Sequence, residues 1–386
     1  MFIRSQSMPR FAHMLKTAFE ARGHRVTMWS PRPVIHRFFA GRRYAKWAGY
    51  IDQYLLFPLF VRRARRRVPP DTLFVFADQA LGPWVPLVAE QPHVIHVHDL
   101  LALRSALGEI PENPTGLTGR LYQRFIRRGF RQGRHFISVS NSTRNDLHRV
   151  GLVSPAASSD MVYNGLNYPY EPLPAVAARA LLREGGFPDA PHGFFLHVGG
   201  GQWYKNQAGV MAIYARYVLT AAEPLPLFCV APPPAETVQA QMAKIGAKGR
   251  VHFFRGLENA QMQALYSAAR GFLFPSLAEG FGWPLIEAQA CGCPVVTTDA
   301  PPMNEVAGEA ALLVPRLQPG EPMDDWAVHG AVALGRLQDE PDELRRQRVA
   351  QGRRWAGSFD ADRSIDQYLA IYGKVLYKQC KPVTSH

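Results

Sequence analysis

The sequence predicts an α/β protein made of two doubly wound, parallel-sheet domains facing a central cleft, and three observations carry that prediction. Short apolar runs alternate with helix-length stretches in each half of the chain. A proline-rich stretch, with Pro169, Pro172, Pro174, Pro188 and Pro191, separates the halves. At 386 residues the chain is also too long for one ordinary core. A hydrophobic content of 47% argues against disorder. No apolar run reaches the ~20 residues that a membrane-spanning helix requires.

Taken in order, residues 11–22 read as a helix ended by Gly23, and Arg25 to Trp29 as a strand. Only Met1-Phe2-Ile3 is available for a strand before that helix, and the turn Ser5 to Pro9 lacks glycine. Residues 72–76, 93–97, 136–140 and 161–163 read as further strands, with Asn141-Ser142-Thr143 capping a helix. His98 and Asp99 fall at the carboxyl end of a strand, where parallel sheets bind ligands. The second half restarts at residues 194–198 and continues with strands at 227–230, 251–254, 272–274, 295–297 and 311–314. From Asp360 to Leu376, Ile365, Leu369, Tyr372 and Val375 recur at helical spacing, which predicts an amphipathic helix. The expected division is an N-terminal domain over 1–168, a linker over 169–192, a C-terminal domain over 193–357 and a final helical segment over 358–386.

Charge and cysteine usage bound the partners. The net charge is +13, and ten Lys or Arg residues between Arg32 and Arg67 face the single acid Asp52. Phe38, Tyr44, Trp47, Tyr54 and Phe60 are interleaved with those cations, which include Arg62, Arg63, Arg65, Arg66 and Arg67. An apolar stripe edged by arginine suits an anionic membrane interface, each cation contributing about 1 kcal/mol. A solvated rim around ordinary core residues is the plainer reading; no nucleic-acid motif accompanies the segment, and no nucleic-acid partner is expected. Cys229, Cys291, Cys293 and Cys380 lack metal-ligand spacing, and the N-terminus lacks a secretory signal. Reduced thiols and a cytoplasmic location, with peripheral attachment to the inner face of the membrane, are expected.

The chemistry concentrates in two loops. Gly199-Gly200-Gly201 follows a strand directly, but a dinucleotide fingerprint fails at its last position, where Tyr204 stands. Three glycines still allow a phosphate to approach the backbone, and Lys205, followed by Asn206, could neutralise it. The second loop lies in Gly271 to Pro294. Phe272-Leu273-Phe274 precede a bend with Gly280 and Gly282, and Pro284 then opens a helix. Free backbone N–H groups at such a helix tip receive anions. Glu279 and Glu287 bracket the bend with seven residues between them. Glutamates near a helix start are favourable without any ligand, so the pair alone is a weak signal.

With the EGFGWP bend between them and ACGCPVV after them, Glu279 and Glu287 resemble the signature of the retaining, nucleotide-sugar-dependent glycosyltransferases of family four, which have the GT-B fold. The resemblance covers most of the chain. It implies transfer of a hexose from a UDP- or GDP-sugar to a saccharide or lipid-linked saccharide, with retention of configuration, in bacterial polysaccharide or envelope glycan synthesis. It also implies that Glu287 holds the ribose and that backbone N–H groups around Pro284 and Leu285 receive the diphosphate. Glu279, with the N–H groups of Gly280, Phe281 and Gly282, would hold the transferred sugar. His98 would lie near the reacting sugar, and the last helix would cross back onto the N-terminal domain. Tyr204 stands where the family usually has arginine, which leaves Lys205 carrying more of the phosphate charge. Asp360-Ala361-Asp362 has a metal-binding form but falls at a helix start, where aspartates are ordinary caps, so neither a metal nor another cofactor is expected. Two further readings share the cleft: a catalytically silent nucleotide-sugar binder, and a GT-B epimerase or phosphorylase.

Overall fold

The computed structural model describes residues 7–151 and 156–380. Its N-terminal sheet is parallel, with strands β1 (Phe74–Phe76), β2 (His93–Val97), β3 (His135–Ser138) and β4 (Ser158–Met161) lying in that order. Alternate residues of β2 face opposite layers. Ile95 and Val97 pack with Phe57, Val85 and Phe130, whereas Val94 packs with Phe11, Leu15 and Tyr372. Both strands are buried along their whole length, with Val94, Ile95, Val97, Phe136 and Ile137 as their apolar residues.

The C-terminal sheet has six parallel strands: β5 (Phe195–Val198), β6 (Leu227–Val230), β7 (Val251–Phe254), β8 (Gly271–Phe274), β9 (Val295–Thr298) and β10 (Leu312–Val314). Their order is β10-β9-β8-β5-β6-β7. The direction of winding therefore reverses between β5 and β8, and the loops after these two strands are those singled out in the sequence. A crevice opens at such a reversal because the two connections leave the sheet in opposite directions.

Two expected strands need correction. Residues 25–29 join no sheet; Trp29 is anchored edge-on against Phe60 and Phe74, so the apolar side chains are held without a backbone ladder. Met1-Phe2-Ile3 lies outside the described residues. The strand placed at 161–163 is shifted to Ser158–Met161, in register with His135 to Ser138. The stretch 169–192 contains a helix, Ala175–Glu184, whose Ala178 and Leu182 enter the C-terminal core.

The final helix, Ala361–Cys380, leaves the C-terminal half and packs Ile365, Tyr368, Tyr372 and Val375 against the helix Ser7–Ala21. Arg22 fixes the crossing with bonds of 2.9 Å to Asp362 and to Asp366. Asp360 accepts the Arg363 N–H at 2.7 Å, so both acids of the Asp-Ala-Asp tripeptide are engaged in holding this helix. In the basic segment, Asp52 is buried and accepts the N–H groups of Ile35 and His36, each at 2.8 Å. Arg62, Arg63, Arg66 and Arg67 are exposed, while Arg65 turns inward to the Leu87 carbonyl. Phe38, Trp47, Leu55 and Phe60 are each at least half exposed, and Leu121 and Phe125 of the helix Leu117–Phe130 extend the same character. Tyr54 joins the two elements through a 2.7 Å hydrogen bond to Tyr122. Among the described residues no helix is long and apolar enough to cross a membrane.

Candidate active site

The loop after β8 is built to be rigid. Gly282 adopts φ +103°, a left-handed conformation that favours glycine, and starts the helix Trp283–Ala290. Pro284 sits in its first turn, and the Leu285 N–H donates back to the Gly282 carbonyl at 3.0 Å. In the structure the Leu285 N–H is therefore already engaged within the turn. Phe281 is buried among Tyr163, Trp283 and Phe359 and anchors the loop at the junction of the two halves.

Glu279 meets a cation. Lys205 Nζ lies 2.8 Å from Glu279 Oε1, and both side chains are about nine-tenths buried. Ser276 Oγ donates to the same oxygen at 2.9 Å. The ammonium also stands over the Phe274 ring at 4.7 Å, so an apolar face strengthens its electrostatic contacts. The sequence placed Lys205 on phosphate and Glu279 on sugar; it did not foresee that they face each other.

Asn206 occupies φ +52°, accepts the Gly209 N–H to start the helix Gln207–Thr220, and donates to the Pro275 carbonyl at 3.0 Å. Its amide is thus used at both ends to tie the β5 loop to the β8 loop. Gly199 closes β5 by donating to the Val230 carbonyl; a side chain there would press on His197 Nε2 at 2.8 Å and on Lys205 Cβ at 3.3 Å. Gly200 and Gly201 continue the bend, and Gly201 has open space apart from Pro232 at 3.4 Å.

Glu287 lies in the second turn of its helix. It is buried and accepts the Tyr266 hydroxyl at 3.0 Å. Burial pushes its carboxyl up to about 7, against the lowering pull of Tyr266 and Lys205. Nothing in the spacing of Tyr266 to Glu287 marked that partnership.

The N-terminal half supplies the opposite wall. His98 is buried, and its Nε2 sits 2.9 Å from the Ala77 carbonyl. A carbonyl only accepts, so Nε2 carries the proton and Nδ1 is left as an acceptor. Burial pulls the imidazole down to about 4, the Ala77 contact opposing, which keeps it neutral near pH 7. Gln79 accepts the His98 N–H at 3.0 Å, and Phe11 stands edge-on to the ring at 4.5 Å. His96, two residues earlier, packs with Tyr368 and Tyr372 beneath.

The two walls touch at Gly280. Its carbonyl accepts the hydroxyls of Ser140 at 2.9 Å and Thr143 at 3.1 Å. A β-carbon at Gly280 would overlap the His98 carbonyl oxygen and lie 3.0 Å from Asp99 Cβ. Ser140, rather than Asn141, caps the helix Asn141–Asp146; Asn141 and Ser142 instead turn their N–H groups to Glu305, at 2.7 and 3.2 Å. Arg316 adds a third bridge, reaching the Leu277 carbonyl at 2.9 Å and Glu112 at 2.7 Å. These cross-cleft partners were invisible in the sequence because each pairs residues more than a hundred positions apart.

Two family profiles cover most of the chain: residues 8–168 match Glycosyltransferase Family 4, and residues 183–320 match Glycosyl transferases group 1. The chain is 28% identical over 246 residues to the O-antigen chain mannosyltransferase B of Escherichia coli, covering 61% of this chain and 59% of that protein. It thus aligns with about three fifths of that relative's length. Among solved structures, it resembles the sucrose-phosphate synthase of Thermosynechococcus elongatus (TM-score 0.69, 19% identity, 95% of this chain and 93% of that one). It also resembles HepE of Anabaena in complex with UDP-glucose (TM-score 0.62, 19% identity, 92% and 88%). At that identity the likeness speaks for the two-domain GT-B fold.

Proposed function

Because this chain belongs to the family 4, group 1 glycosyltransferases, we propose that it transfers a hexose from a nucleoside diphosphate sugar to a saccharide or lipid-linked saccharide, retaining configuration, in bacterial surface-glycan synthesis. The Lys205–Glu279 pair at the reversal of the C-terminal sheet carries the reading: one cation and one acid are held in a nearly dry crevice, beside a glycine bend and a helix tip. The mannosyltransferase relative favours the transfer class, and HepE, solved with UDP-glucose, favours a UDP-sugar as the first donor to test.

In this reading Lys205 leaves Glu279 for the diphosphate and opposes the charge that develops as the glycosidic bond breaks. Fixed charge in a water-poor site acts strongly there because no solvent must reorganise. Glu279 is then free to accept hydroxyls of the transferred sugar. Glu287, once ionised, accepts the vicinal hydroxyls of the ribose, two charge-assisted bonds from one carboxylate. His98, neutral and presenting Nδ1 as an acceptor, holds a donor-sugar hydroxyl; a group that binds its proton only near pH 4 is a poor base for the acceptor. The leaving diphosphate is the remaining base, and the enzyme contributes mainly by positioning. Membrane contact through Trp47, Leu55, Phe60 and the exposed arginines would place a lipid-linked acceptor at the N-terminal wall.

The test is a thermal-shift screen against UDP- and GDP-sugars, followed by NMR of the products with a saccharide acceptor. Stabilisation by a nucleotide sugar and a product of retained configuration are expected. Binding without transfer or donor hydrolysis would replace the reading with that of a silent binder.

A further inference from the structure

Beside Asp99 the N-terminal half contains a cavity. Its walls are the start of the turn of helix Gln79–Leu87, the helix Leu101–Ala106 and the inner face of the helix Leu117–Phe130. It encloses about 60 Å³, several times the roughly 10–15 Å³ that one water needs. The walls are fixed. A β-carbon at Gly82 would overlap the Ile126 carbonyl, and one at Gly129 would overlap the Gly82 carbonyl, so the two elements meet backbone to backbone.

Arg127 lines this cavity with Gln79, Gln123 and Asp99. Its Nε is sealed from solvent and finds no hydrogen-bond acceptor among the described residues. No carboxylate forms an ion pair with it among them either. A buried donor without a partner is costly, and the rest of the Arg127 side chain, half-buried, stays open to the cavity. An arginine in the last turn of a helix is favourable to the helix dipole, but that benefit needs only an exposed side chain and does not require sealing Nε. The helix carries Arg120, Arg124, Arg127 and Arg128 and no acid, so its field favours an anion. Asp99 is the one opposing charge in the wall. Its Oδ1 is turned to the Leu101 N–H at 3.0 Å, and burial raises its carboxyl, which weakens the repulsion.

We propose that this cavity is a subsite for a phosphate group carried by the acceptor, received by the Arg127 guanidinium with Gln123 beside it. Arginine's planar fork matches phosphate oxygens bidentately, which lysine cannot do. The inference rests on the reading of this wall as the acceptor side. It narrows the acceptor class from a neutral saccharide to one phosphorylated on, or linked through, the end that enters beside Asp99. A phosphorylated sugar and an anionic lipid headgroup offer the same chemistry, and the test separates them.

The test uses the full chain with UDP at saturation, so that the phosphate site at Lys205 is filled. Mannose 6-phosphate, mannose and inorganic phosphate are titrated by calorimetry, and vesicles of phosphatidylglycerol or phosphatidylcholine are co-sedimented, each with wild type, Arg127→Gln and Arg127→Lys. Binding of the phosphorylated probe but not of mannose is expected, at least tenfold weaker in Arg127→Gln and intermediate in Arg127→Lys, with UDP affinity unchanged in both. Capture by phosphatidylglycerol vesicles that is lost in Arg127→Gln, without sugar-phosphate binding, would assign the same subsite to a lipid headgroup. Equal binding by wild type and Arg127→Gln, or no binding of any phosphate probe by wild type, would overturn the subsite. Failure of UDP to bind while the phosphate probes still do would instead refute the donor reading and leave the subsite standing.

Discussion

Gly280→Ala tests whether the two halves must meet to work. The added methyl would overlap the His98 carbonyl by roughly 1 Å, and backbone on both sides leaves no flexible side chain to yield. The halves must therefore separate locally, and the Gly280 carbonyl loses the Ser140 and Thr143 hydroxyls, held at 2.9 and 3.1 Å. Two neutral hydrogen bonds at about 1 kcal/mol each amount to about 2 kcal/mol, or a fall of about thirtyfold in the closed population. The assay is steady-state transfer with a nucleotide sugar, alongside direct titration of the nucleoside diphosphate. The expected result is a drop of tenfold or more in kcat, with nucleotide affinity within about twofold of wild type, since Lys205 and Glu287 both lie in the C-terminal half. X-ray scattering should show a more open particle at unchanged melting temperature. Wild-type kcat in Gly280→Ala would refute the argument that the cleft works by this closure.

Lys205→Met leaves the buried Glu279 with only Ser276, so a stability loss of about 3 kcal/mol and at least a hundredfold fall in kcat are expected; denaturant melts and turnover check both, and wild-type turnover would remove Lys205 from its role. Glu287 supplies a pH signature: its acid form is favoured in the fold, so its stability contribution is full below about 4.5 and lost as pH rises through about 7. Ligand-free protein should lose up to about 3 kcal/mol from this group over that window, while nucleotide affinity moves the opposite way, strengthening as the carboxylate forms. Glu287→Gln should flatten both curves, and an unchanged pH dependence would exclude Glu287 as their source. Glu305→Ala removes the acceptor of the Asn141 and Ser142 N–H groups and of the Tyr163 hydroxyl, so scattering should report opening and kcat should fall several-fold. Activity is expected to survive EDTA; loss restored by manganese would contradict the metal-free mechanism.

What the sequence could show was set by how local each feature is. Strands β5 to β10 are short, mostly apolar runs, and Val94-Ile95 and Phe136-Ile137 give β2 and β3 the same local mark, so composition alone pointed to them. Gly282 and Lys205 were legible because a glycine bend before a helix needs only a few adjacent residues. The segment 25–29 misled because its apolar residues are real anchors, as Trp29 against Phe74 shows, while ladder formation depends on a neighbouring edge that no local pattern reveals. The same limit hid the Lys205–Glu279 pair, the Tyr266 bond to Glu287 and the seal between Gly280 and His98. Each is made by the sheet order or by domain contact, and neither is written in spacing. Asn206 shows the reverse case: the sequence marked the position, and the structure uses its amide to tie two loops.

The central claim is that a nucleotide's diphosphate is received by Lys205 where the β5 and β8 loops meet. A crystal structure with UDP or GDP tests it most directly. Phosphate oxygens within hydrogen-bond distance of Lys205 Nζ, a broken Lys205–Glu279 pair, and ribose hydroxyls on Glu287 are expected. A nucleotide bound in the N-terminal half, or one that leaves the Lys205–Glu279 pair intact, would contradict it.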